Sequence, residues 1–131
     1  VPLEGVVHAL RRIRAALEPA GVAIDTQPVS PDPVVAAVGD PLGRADMRAW
    51  LQTIEAVDAL VARSLDEGLF SIEGERRFTV TDSWDSGPEC AETIAGWQGT
   101  RLPDTLAKQI VAASPPLTIE QEVRLRVLRA G

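Results

Sequence analysis

A continuous apolar stripe, followed at once by a change of period, constrains this chain more than any other feature. Met47, Trp50, Leu51, Ile54, Val57, Leu60, Val61 and Leu65 recur at the spacing of one helix face. The stripe opens after Asp46 and closes at Gly68, which predicts a helix of about five turns. From Leu69 to Trp84 the pattern alternates instead. Phe70, Ile72, Phe78, Val80 and Trp84 share one parity, and Glu73, Glu75, Arg77, Thr79 and Thr81 share the other. A helix with one apolar face needs a sheet or another helix to cover it, so helix followed by strand reads as α/β. Gly74 marks either a bulge or a turn that divides the strand into a hairpin.

The flanking segments extend this order. Leu3, Val6, Val7, Leu10, Ile13 and Leu17 define an amphipathic helix with Arg11, Arg12 and Arg14 mostly on its other side. Pro19 and Gly21 end it, because proline cannot continue a helix and glycine accepts left-handed dihedrals. The run Val22 to Asp25 then reads as a short buried strand of the parallel type. Pro28, Pro31, Pro33 and Pro41, with Gly39 and Gly43, mark a connection that holds a short strand at Val34 to Val38. Ser86 and Glu89 form a capping box that opens a helix to about Trp97. Another helix follows Pro103, carrying Leu106, Ile110 and Val111. A last strand follows Pro116, with Val123, Leu125 and Val127 inward and Arg124 and Arg126 outward. The expected fold is a small partial Rossmann-like sheet of about three strands, one parallel-type and two antiparallel at the C-terminus, flanked by helices. The whole chain, residues 1–131, reads as a single domain.

Composition removes several function classes. With 131 residues, 45% hydrophobic and 24% charged, the chain has the balance of an ordinary globular protein. A net charge of −6 argues against a phosphate-binding surface, so no nucleic-acid partner is expected. The single cysteine, Cys90, excludes an internal disulfide, and with the single histidine, His8, it cannot build a zinc site. No apolar run reaches the ~20 residues needed to span a bilayer, and no signal peptide is evident, so a cytoplasmic location without membrane partners is expected. Helical periodicity starts almost at residue 1, a Val, which suggests sequence missing upstream.

Val1-Pro2 before the first helix, then Leu17-Glu18-Pro19-Ala20-Gly21 and the strand from Val22 to Asp25, resemble a stretch of the class I S-adenosylmethionine-dependent methyltransferases. In that family a Val-Pro ends a strand, a helix follows, and a Gly-rich turn leads into the fifth strand. The downstream order of long helix, strand, two helices and last strand is similar to the family's C-terminal half. The turn departs from the family pattern in having Glu18 for a basic residue and Ala20 for a glycine. No G-x-G-x-G loop is present, and that loop is what lets backbone approach the cofactor. The resemblance therefore implies the substrate side of a small-molecule methyltransferase, not competent as an isolated chain. It implies no cofactor for the chain alone, and S-adenosylmethionine once the missing N-terminal half is supplied.

The resemblance places Asp25, Thr26 and Gln27 at a strand end on the ligand side of the sheet, lining a substrate cleft; their plainer role is a strand end and turn. Trp84, with Asp82 and Asp85 beside it and Trp97 nearby, is a second candidate substrate wall; the plainer reading is a tryptophan closing a core edge. Cys90 near a helix start has packing as its default role, against a thiol acidified by the helix N-terminus. His8 is read as a helix-surface histidine unless a cleft forms around it. No catalytic residue and no metal ligand is assigned. The alternative function is a non-enzymatic homodimerising domain, pairing through the unpartnered edge of Val22 to Asp25. A third is a ligand-binding fold with an apolar pocket between the long helix and the sheet.

Overall fold

A computed structural model describes residues 3–17 and 21–131, with side chains from Ala9 onward. The elements run α1 (Leu3–Ala16), β1 (Val22–Pro28), β2 (Val34–Ala37), β3 (Asp40–Arg44), α2 (Arg48–Asp66), β4 (Phe70–Trp84), α3 (Gly87–Ala95), α4 (Asp104–Ala112) and β5 (Leu117–Ala130). The turn at Glu18 to Ala20, the Val1-Pro2 pair and the side chain of His8 lie outside the described residues.

The sheet corrects the expected fold. It has five strands in the order β1-β5-β2-β3, with β4 also paired to β5, and it is mostly antiparallel rather than Rossmann-like. The strand read as parallel is the clearest case. Ala130 donates its N–H to Gly21 O at 2.8 Å and Val29 donates to Glu122 O at 2.9 Å, so β1 runs against β5. Its apolar run is not a buried one either. Val22, Ile24 and Thr26 are exposed, and Ala23, Asp25 and Gln27 are half-buried. Alternation of that kind belongs to an antiparallel strand with one covered face. Gly74 does not divide β4, which continues through it.

By compactness the chain forms two units, and α2, β4 and β5 each pass from one to the other. The first unit holds the described part of residues 1–27 with Thr53–Arg77 and Arg124–Gly131. Ile54, Val61 and Ser64 of α2 are buried here, as are Phe70 and Leu128. In this stretch of β5 the buried residues are Arg124, Arg126, Leu128 and Ala130. The expected orientation of the last strand is thus reversed for Arg124 and Arg126, which are only 8% exposed.

The second unit holds Pro28–Gln52 and Phe78–Val123. β2 and β3 make a hairpin with Ala37 opposite Asp40, so Val38 and Gly39 form a two-residue turn. Both have positive φ, 51° and 81°, as a type I′ turn requires. β2 also lies antiparallel to β5, with Val35 opposite Ile119. Between Val29, bonded to Glu122, and Val34, opposite Glu120, the chain has surplus residues that loop out. Ser30 Oγ fills the gap in the ladder by accepting the Glu122 N–H at 2.8 Å.

Helices α3 and α4 cover this hairpin. Ser86 Oγ accepts the Glu89 N–H at 3.2 Å, which gives α3 the start its capping box predicts. Gly87 allows the two helices to meet, since a Cβ there would lie 2.2 Å from Ile110 O. The resulting core includes Val35, Cys90, Ile94, Ile110, Leu117 and Ile119, each with no exposed surface. No helix among the described residues is long and apolar enough to cross a membrane.

Candidate binding site

In the second unit, the start of α2 and the loop after α3 form the walls of an open pocket. Pro28, Met47, Trp50, Trp97, Gln98 and Gln121 line about 330 Å³. Four of these present apolar or aromatic surface, and no charged side chain is among them. Volume and lining both fall within the usual range for a small-molecule site, at its lower end.

Local bonding fixes each wall. Trp50 donates its indole Nε1–H to Pro28 O at 3.1 Å, so the two side walls are tied together and the ring cannot rotate freely. Trp50 N–H donates to Gly99 O at 3.2 Å. Gly99 sits at φ 70°, and a Cβ there would stand 2.8 Å from Trp50 Cα, so only glycine permits this approach. Asp46 and Arg101 exchange backbone hydrogen bonds of 2.8 and 2.7 Å, anchoring the loop against the start of α2. The Asp46 carboxyl titrates below its usual range because it accepts the Arg48 N–H, which together with the Arg48 and Arg101 charges outweighs the opposing effect of desolvation. Trp97 contacts Trp84, with ring centroids 6.2 Å apart and planes tilted by 46°.

Gln121 is the pocket's polar member. It is 8% exposed, and its Oε1 has no hydrogen-bond partner. It shares the inward parity of Leu117, Ile119 and Val123, whereas Glu120 and Glu122 on the opposite parity are exposed.

A polar cluster occupies the first unit. Arg124 of β5 grips Asp58 of α2 with a pair of hydrogen bonds, Nη1 to Oδ2 at 2.9 Å and Nη2 to Oδ1 at 2.8 Å. Arg126 donates to Asp25 Oδ2 of β1 through Nε at 3.0 Å and Nη2 at 2.8 Å, and to Asp58 Oδ1 at 3.0 Å. Arg124 Nε is buried without a hydrogen bond, with Glu75 Oε1 at 3.9 Å. Burial raises the pKa of Asp58, but the hydrogen bond and charge of Arg124, together with Arg126, outweigh it and leave the carboxyl below its ordinary range. Each guanidinium already faces carboxylates, so the cluster is a structural clamp between α2 and the strands rather than an anion site.

These placements reassign the candidates. Asp25 serves the clamp, Gln27 donates to Asp25 Oδ1 at 3.0 Å, and Thr26 is exposed on the other face of β1. All three lie within a strand antiparallel to β5, not at the end of a parallel strand as expected. Trp84 belongs to the second unit and supports the pocket through Trp97. Cys90 is buried, and desolvation pushes its thiol up to about 11, the opposite of an activated nucleophile. Gln98 and Gln121 were not legible as site residues from periodicity. The available signal was Gln121 itself, a polar residue on an inward parity. Met47 and Trp50 were legible only as part of the helix stripe.

Comparison with protein-family models, with curated proteins and with solved structures finds no match for this chain.

Proposed function

We propose that this chain is a non-enzymatic binding domain whose second unit holds a small neutral molecule in the Trp50–Trp97 pocket. The observation that carries the reading is the pocket's construction. Trp50 is tied to Pro28 O and meets Gly99 closely, and Trp97 contacts Trp84, so the walls of the apolar concavity are held in place. Exposed apolar concavity is costly in water and is favoured where a ligand covers it. The test is a thermal-shift titration with neutral bicyclic aromatics such as indole and naphthalene. Saturable stabilisation that Trp97→Ala abolishes is expected. Absence of any shift up to the solubility limit contradicts the reading.

A second observation favours homodimerisation. Val22 and Ile24 are 42% and 65% exposed on one face of β1, a strand at the end of the sheet order. A second copy laid against that face would bury both. The methyltransferase reading is the less supported proposal. It loses the parallel sheet that joined its motifs, and retains a helix–glycine–strand step common to many folds. Its test is cofactor binding after the N-terminal half has been supplied.

A further inference from the structure

We propose that the outer edge of β4 pairs with β4 of a second copy, antiparallel and in the register that sets Thr79 opposite Thr79. This goes beyond the pocket reading and does not rest on it, and it gives a second copy a seat other than the exposed face of β1. β4 is 15 residues long, against the usual length of about five or six, and β5 is the only strand it pairs with among the described residues. The edge turned away from β5 therefore meets no other strand, and such an edge is a template for one. No proline interrupts it, and Phe78-Thr79-Val80-Thr81 is an uncharged run of residues that favour strands. Phe78 and Val80 nevertheless stand 43% and 36% exposed.

Twofold symmetry sets each residue opposite the one equally far beyond the centre, and charge selects that centre. Centring on Glu75, Arg76 or Arg77 puts a charge against its own copy. Centring on Phe78 or Val80 leaves Arg76 opposite Val80 or Trp84, and Asp82 opposite Gly74 or Phe78. Centring on Thr79 sets Arg76 against Asp82 twice, Phe78 against Val80 twice and Thr79 against itself, with no like charges opposite between residues 75 and 83. Opposite-charge, aromatic–β-branched and Thr–Thr pairs are the ones that stabilise neighbouring strands. Arg76 and Asp82 are exposed, and neither makes an ion pair among the described residues. Six residues of strand hold them about 20 Å apart, so these two charges can meet only across two copies.

The register has a direct test in charge exchange. Sedimentation equilibrium of the full chain should give a dimer. Arg76→Asp and Asp82→Arg, both at exposed positions, should each weaken dimerisation by about tenfold or more, with the circular dichroism spectrum unchanged. An equimolar mixture of the two variants should dimerise again, because each then offers the charge that the other lacks. Ile24→Lys should leave this dimer in place; its loss there would put the contact on the β1 face and overturn the inference. A monomeric native chain, a dimer that neither reversal weakens, or a mixture no tighter than its components would each overturn it as well. None of these outcomes bears on the pocket, which the thermal-shift titration reads separately.

Discussion

At Gln121 a buried side-chain oxygen without a hydrogen-bond partner works against the stability of the fold. It makes the protein less stable than it would be with an apolar residue of the same size. Gln121→Met is expected to raise unfolding free energy by about 1 kcal/mol, a gain of about 3 °C in melting temperature by scanning calorimetry. A lower melting temperature would mean the oxygen is satisfied in solution. At Asp58 the sign is opposite. Its carboxyl is held below its ordinary range in the folded chain, so its contribution is fully present above the unfolded pKa of about 4 and is lost as pH falls through the folded value. Asp58→Asn should destabilise by about 2 kcal/mol at neutral pH. That difference should shrink as urea denaturation is repeated at progressively lower pH below about 4. An unchanged difference across this range would show that the clamp does not depend on the carboxylate charge.

At the scale of elements, the helices were the most legible part of the sequence. The stripe from Met47 to Leu65, closed by Gly68, gives α2 nearly to the residue, and the Ser86–Glu89 box gives the start of α3. The strands were less legible because their covered faces are not apolar. On β1 the half-buried parity carries Asp25 and Gln27, and on β5 the buried parity of the first unit carries Arg124 and Arg126. Charges that neutralise one another across strands and helix look, in sequence, like solvated faces. β3 was missed for another reason. Pro41 and Gly43 read as loop residues, yet β3 is a sheet-end strand that tolerates proline, and α4 lies so close that a Cβ at Gly43 would touch Leu106 at 3.0 Å. The hairpin turn offers a test of this element. Val38 has φ 51°, a conformation that a β-branched residue adopts only under strain. Val38→Asn should therefore stabilise the protein by roughly 1 kcal/mol in chemical denaturation. Gly87→Ala should act in the other direction, by about 2 kcal/mol or more, because the new methyl group meets the Ile110 carbonyl at 2.2 Å. Unchanged stability in that variant would show that α3 and α4 are not so closely packed.

At the scale of the whole molecule, the order of most elements is legible in the sequence but the direction of the strands is not. Strand direction depends on which strands pair, and pairing here is decided by long-range partners such as Gly21 with Ala130. The candidate site was legible only in fragments. Trp84 and Trp97 were paired correctly as neighbours, whereas Met47 and Trp50 looked like core and Gln121 carried no motif. The dimer proposed through β1 is argued from that strand alone. If its exposed Val22 and Ile24 meet a second copy, light scattering should give a dimer, and Ile24→Lys should convert it to a monomer. A monomeric native chain at high concentration would contradict that assembly and leave the pocket reading untouched.

The Trp50–Trp97 pocket is the proposed place of ligand binding in this chain. The most direct measurement is a two-dimensional ¹H–¹⁵N spectrum of the indole N–H groups, recorded as indole is added to the labelled protein. The chain has 3 tryptophans, so the readout is limited to a few assignable signals. Saturable movement of the Trp50 and Trp97 signals is the expected result. Movement confined to signals outside the pocket, or no movement at all, would contradict it.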